Sequence, residues 1–153
     1  MILSSFRARL GREDWERFDR WIDSLRNWAE TDGLCIHLLA PILKGETGLI
    51  QDLRGWTRSP SRWRRRAAAV ALAPLARRGD HLEAAFDLCD RLAEDRDDMV
   101  EKAIGWLLKE ASRTQPRPVV DFLLVNLPRL SRTTVRYACE KLPPGLRAQV
   151  MSA

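Results

Sequence analysis

The chain has 153 residues, 45% of them hydrophobic and 31% charged, which supports one domain with its own core and excludes a disordered or low-complexity chain. Its formal net charge is +5, from 26 Lys+Arg against 21 Asp+Glu. Most of the cations are arginines, the better fork for phosphate, so the balance suits a polyanionic partner as well as plain solubility. Three scattered cysteines and two histidines without a Cys-x-x-Cys exclude a disulfide framework and a zinc site. No apolar run approaches membrane-spanning length, and residues 1–10 lack the apolar stretch of a signal peptide. The expectation is a cytoplasmic protein, with no membrane contact and with Cys35, Cys89 and Cys139 as reduced, buried thiols.

No period-2 alternation and no Asn-Gly or Asp-Gly hairpin turn stands out, so the pattern reads as helix, short turn, helix. Residues 1–12 read as the end of a helix or as a cap over the first full helix. Residues 13–25 form that first clear helix, with Trp15, Phe18, Trp21, Ile22 and Leu25 at helical spacing. Asn27 reads as an N-cap with Glu30 as the return partner of a capping box. The helix it opens runs to about Leu43, and Gly33 inside it is expected to admit close packing. Residues 45–48 are a turn with Thr47 as a cap, followed by a helix marked by Leu49, Ile50, Leu53 and Trp56. Ser59-Pro60 breaks that helix and starts another over 62–78, whose Ala-rich centre lets neighbours approach closely. Arg77, Arg78 and Gly79 end it. Asp80 with Glu83 suggests a second capping box for a helix through Leu92. An acidic turn at 95–98 precedes a helix over 99–112, and Pro116 to Pro118 is a break before a short apolar helix at 119–127. Ser131 caps the last long helix, to Leu142, and Pro143-Pro144-Gly145 ends it before a tail helix.

A register runs through these elements. Asp32, Arg66, Lys102 and Arg136 follow one another at steps of 34, 36 and 34 residues, each on the second helix of a successive pair. That period suggests stacked helical repeats. The expected fold is therefore all-α, a right-handed α-solenoid of helix pairs in a single domain over 1–153, with these residues along one concave wall. The first helix, bearing Trp15, Phe18 and Trp21, is expected to be exposed or to be covered by a partner chain or a second copy.

The inner helices gather Trp28 and Asp32, then Arg62, Trp63 and Arg66, then Lys102, Trp106 and Lys109, then Arg132 and Arg136. Cations spaced along a groove suit a phosphate backbone, and interleaved tryptophans offer flat surfaces to sugar or base. Asp32 is the odd member. A carboxylate facing a polyanion lowers affinity unless it has a task. That task is either to stabilise positive charge on a deoxyribose as a glycosidic bond breaks or to orient the attacking water. The alternative is a salt bridge from Asp32 to Arg66, and the two readings are compatible.

Four ordered segments carry a family resemblance: Asn-Trp-Ala-Glu-Thr-Asp at 27–32, Arg-Trp-Arg-Arg-Arg-Ala-Ala at 62–68, Lys-Ala-Ile-Gly-Trp-Leu-Leu-Lys-Glu at 102–110 and Ser-Arg-Thr-Thr-Val-Arg-Tyr-Ala-Cys-Glu-Lys-Leu at 131–142. Together they resemble the DNA alkylation repair family, DNA glycosylases built from HEAT-like repeats. The resemblance implies a monofunctional glycosylase that needs no metal or cofactor. Its partner is double-stranded DNA with alkylated bases, from which N3- and N7-alkylated purines are excised without deep base flipping. It implies Asp32 as the catalytic residue, Trp28 and Trp106 as lesion contacts, and Arg66 and Lys109 as backbone contacts, to which the charge ladder adds Arg62, Lys102 and Arg136. Lys109 stands where the best-studied branch has arginine. The family's further N-terminal repeats have no counterpart here. Two other readings stay open: a catalytically inactive DNA-binding module and a protein-interaction scaffold.

Overall fold

The computed structural model describes residues 9–153, and every regular element among them is helical. In order these are α1 (Arg12–Ile22), α2 (Trp28–Leu34), α3 (Ala40–Gly45), α4 (Ile50–Trp56), α5 (Arg62–Ala76), α6 (Leu82–Leu92), α7 (Asp98–Ser112), α8 (Pro116–Asn126), α9 (Arg132–Ala138) and α10 (Pro144–Met151). A π-turn at Cys35–Leu39 joins α2 to α3, so the two continue as one rod, and a 3-10 turn at Cys139–Lys141 follows α9. The expectation for residues 1–12 falls mostly outside the described residues.

One row of helices holds the middle of the fold: α2 with its π-turn packs on α5, α5 on α7, and α7 on α9. The alanines of α5 explain the closeness. Ala67, Ala68, Ala69, Ala71 and Ala73 are all essentially inaccessible to solvent, and their short side chains let the flanking backbones come in. The other helices cover this row from outside. α1 lies on α5, α4 on α5 and α6, α6 on α7, and α8 on α7 and α10. Aromatic pairs clamp that layer: Trp15 stacks on Trp56 at 5.3 Å while its indole N–H donates to Asp52 (2.8 Å), and Phe86 stacks on Phe122 at 5.0 Å. Hydrogen bonds between neighbouring repeats recur at the repeat spacing. Cys35 to Ala67, Arg66 to Met99, Thr134 to Glu101 and Arg96 to Arg129 are separated by 32, 33, 33 and 33 residues.

The helix starts follow local chemistry. Glu30 N–H donates to Asn27 Oδ1 (2.9 Å), so Asn27 caps as expected, but Glu30 Oε2 accepts from the N–H of Arg26 and not of Asn27, so the expected capping box does not close. Ser131 Oγ accepts from Thr134 N–H at 3.1 Å. Three further expectations need correction. Asp80 caps nothing: the residue before α6 is His81, in a left-handed conformation with φ 54°, and no side-chain cap bond forms. Pro116 and Pro118 begin α8 instead of interrupting it, because the first turn of a helix has no use for their missing N–H. Thr47 opens a 3-10 turn and caps no helix with its side chain.

The exposed N-terminal helix is also corrected. Trp15 and Phe18 are 2% and 4% exposed, and only Trp21 lies open. The outer side of α1 carries exposed Glu13, Glu16, Arg17 and Arg20 beside the open ring of Trp21.

The close-packing glycine is Gly105, not Gly33. A Cβ on Gly105 meets Tyr137 Cβ at 2.5 Å and the Thr134 carbonyl at 2.9 Å, whereas a Cβ on Gly33 meets nothing within 4 Å. Gly105 therefore sets how near α7 comes to α9. Gly105→Ala is expected to lower stability by about 2 kcal/mol through overpacking. Gly33→Ala is expected to be neutral or to raise it by up to about 1 kcal/mol through helix propensity. Urea melts of the two variants check this pair of opposite outcomes.

Candidate functional site

The site begins at the first turn of α5. The run Arg62-Trp63-Arg64-Arg65-Arg66 projects a guanidinium in several directions, and each finds an acid or a carbonyl on another element. Arg62 reaches Asp97 (2.8 Å) and Asp98, at the start of α7. Arg64 reaches Asp19 and Asp23, on and just after α1. Arg65 reaches Asp95 (2.7 Å) and the Ser59 carbonyl. Arg66 forks onto Asp32 of α2, Nε to Oδ1 at 2.8 Å and Nη2 to Oδ2 at 2.9 Å, and its Nη1 donates to the Met99 carbonyl at 2.6 Å. What reads in sequence as a basic patch is a hub that ties α1, α2 and α7 to α5.

Burial separates these pairs energetically. Arg62 and Asp98 are largely in water, where such a pair contributes little. The side chains of Arg66 and Asp32 are 9% and 15% exposed, so their charges lean on each other. The fork is planar and bidentate, the strongest geometry available to an arginine and a carboxylate. It occupies two of the roughly four lone-pair positions of Asp32 and leaves the others to accept further hydrogen bonds. Cys35, beside this pair, is wholly buried; burial and then the Asp32 charge push its thiol well above the ordinary range, against the opposing effect of Arg66. It stays a neutral thiol, facing the Ala67 carbonyl.

Trp28 lies one turn before Asp32 and is 56% exposed, a large ring left open beside a held carboxylate. The remaining candidates divide. Lys102, Arg132 and Arg136 have no ion-pair or hydrogen-bond partner among the described residues, and both arginines are exposed. Lys109 is held by Glu140 at 3.1 Å, and Arg62 is stacked over Trp63 while paired as above. Trp106 packs partly against the core. Arg66 is the residue whose position differs most from expectation. Each of its three nitrogens bonds to Asp32 or to the Met99 carbonyl, and its side chain is 9% exposed, so most of the guanidinium is engaged within the fold. The sequence held a signal for this, since Asp32 and Met99 lie one repeat length before and after Arg66. The hub at Arg64 and Arg65 was missed because their partners lie at 41, 45 and 30 residues, off the register.

Stacked helix pairs, an exposed tryptophan, a held carboxylate and unpaired cations along one row define an all-α protein with a candidate nucleic-acid site. The match of the family model for DNA alkylation repair enzymes over residues 1–142 goes further: the chain belongs to that family. Among solved structures, it is similar to a predicted DNA alkylation repair enzyme from Enterococcus faecalis, with a TM-score of 0.79 and 16% identity over 90% of this chain and 63% of that one. At that identity the likeness concerns the fold, and the chain spans less than two thirds of that protein's length. No curated protein matches the chain.

Removing one partner of the buried pair strands the other. Arg66→Met is expected to cost about 3 kcal/mol of stability. Asp32→Asn is expected to cost about 1 kcal/mol, since its amide oxygen still accepts from the guanidinium. Chemical denaturation of both variants checks the order.

Asp97 offers a second, pH-dependent test. Burial opposes its ionisation, but hydrogen bonds from Arg62 and the Met99 N–H outweigh burial and hold the carboxyl below its ordinary value. A depressed folded-state value means the contribution is full above the unfolded carboxyl range, about pH 4, and is lost as pH falls through the lower folded value. Asp97→Asn keeps the N-cap acceptor and removes the charge. The stability difference between wild type and Asp97→Asn is expected to be largest near neutral pH and to shrink below about pH 4. Urea titrations across that range measure it.

Proposed function

We propose that the chain is a DNA glycosylase that releases N3- and N7-alkylated purines from duplex DNA, with Asp32 at its chemical centre. The observation that carries this reading is the placement of exposed Trp28 one turn from a carboxylate whose position Arg66 fixes. An N3- or N7-alkylated purine is already cationic, so its departure needs no general acid from the protein. What the site must supply is a positioned water and some compensation for positive charge on the sugar. Because the guanidinium largely offsets the Asp32 charge, the free lone pairs of the carboxylate serve best as acceptors that orient the attacking water. Trp28 lays its ring against the lesioned nucleotide, and the partly buried Trp106 contributes an edge. Lys102 and Arg136 hold backbone phosphates, and Arg62 and Lys109 join them by exchanging the exposed carboxylates of Asp98 and Glu140 for phosphate.

Arg66 acts as the positioning residue for Asp32 in this reading, in place of a direct backbone contact. Its double anchoring supports that role. Burial of Trp15 and Phe18 leaves Trp21 as the one open ring of the three on α1, which weighs against a protein-interaction scaffold. The catalytically inactive binding module differs from the glycosylase in one readout, release of base.

Chromatography of purines freed from N-methylated duplex DNA tests the proposal. Wild type is expected to release the cationic purines, and Asp32→Asn to be slower by about 100-fold or more, in the range of a lost positioned acid or base. Salt-sensitive binding without release by wild type makes the chain the binding module.

A further inference from the structure

The seam between the α2–α3 rod and α5 does not end at the Asp32–Arg66 pair. Along the rod, Ile36 lies one turn after Asp32, then Ala40, then Lys44; along α5, Pro74 and Arg78 lie two and three turns after Arg66. Both helices are disturbed at this level. The rod contains the π-turn at Cys35–Leu39 followed by Pro41, and α5 contains Pro74 in its interior. A proline in a helix removes one N–H and pushes on the preceding turn, and π-turns gather at functional places. Between the two irregularities lies a groove of about 370 Å³, walled by Ile36, Pro41 and Pro74. That volume is in the range of small-ligand sites.

The rim of the groove has a defined chemistry. Lys44, Arg78 and Asp80 line it, all three are exposed, and none has a partner among the described residues. Elsewhere on α5 the arginines of the first turn are matched to aspartates. Here two cations stand open with one carboxylate between apolar walls. An occupant must carry a compact anion, a flat apolar body and a hydrogen-bond donor. A nucleotide has all three: a phosphate for Lys44 and Arg78, base faces for the proline walls, and exocyclic or sugar donors for Asp80.

We propose that this groove is a nucleotide subsite that takes an unpaired nucleotide, such as one at a gap or single-stranded end that adjoins the duplex presented to Asp32. At the rise of a helix, Pro41 lies about 13 Å along the rod from Asp32, so the two positions address different nucleotides of one strand. The identity of the strand rests on the proposed DNA-repair reading; the chemistry of the groove does not, and the test separates them.

The test is a titration of the ¹⁵N-labelled protein with deoxyadenosine monophosphate and, separately, with a short single-stranded deoxyoligonucleotide. Both are expected to shift the amides of Ile36, Lys44, Leu75 and Arg78, the oligonucleotide at lower concentration. Ile36→Trp fills the groove from its edge and is expected to remove these shifts. Arg78→Glu, on the surface and independent of packing, is expected to weaken binding roughly tenfold through loss of a charge-assisted phosphate contact. Shifts with neither probe, or shifts unchanged by both variants, overturn the proposal. Shifts with the mononucleotide alone overturn the assignment to a strand. If these shifts occur while wild type releases no alkylated base, the glycosylase reading falls and the groove stands.

Discussion

The structure depends on the bidentate contact between Arg66 and Asp32. It is the point where α2, α5 and α7 meet, because the same guanidinium also holds the Met99 carbonyl at the start of α7. A carboxylate that is 15% exposed and a guanidinium that is 9% exposed carry a desolvation cost that only good geometry offsets. The geometry is good because the Ala-rich body of α5 lets α2 approach closely. Packing therefore places the pair, and the pair in turn fixes where Asp32 sits relative to Trp28. Stability and site are set by the same atoms.

The arginine run shows how charge in a sequence differs from charge on a surface. Four closely spaced arginines look like a phosphate-binding patch. In the fold they are distributed to the aspartates of α1, α2 and the α7 start, and little of their charge faces outward as a free field. Cations left without a side-chain partner among the described residues include Lys102, Arg132 and Arg136 of the later helices and Lys44 and Arg78 near the α3 and α5 ends. Under the proposed function these groups are the ones that attract a phosphate backbone, and the hub sets the positions of the helices that carry them.

Much of the architecture was legible in the residues. The period near 34 recurs in the hydrogen bonds between neighbouring helices, because stacking puts equivalent turns side by side. Asn27 and Ser131 were readable as caps, since their side chains satisfy N–H groups only a few residues ahead. Long-range facts were not readable in the same way. Whether Gly33 or Gly105 admits a neighbour depends on which backbone lies across from it. Trp15 and Phe18 looked open until Asp52 and Trp56 were placed over α1. At the site, the Trp28–Asp32 pair was local and visible, and the Asp32–Arg66 bridge was foreseen as one of two readings. The engagement of all three Arg66 nitrogens required the position of the Met99 carbonyl, which no local pattern encodes.

Under the proposed function Asp32, held by Arg66 beside Trp28, performs chemistry on a nucleotide and is not merely a structural anion. The most direct measurement is single-turnover release of alkylated purine from duplex DNA, with wild type and Asp32→Asn compared at equal DNA occupancy and with both shown to be folded. Release by wild type and a large loss of rate in the variant, without loss of binding, are expected. Equal rates in the two proteins, or no release by wild type, contradict the proposal.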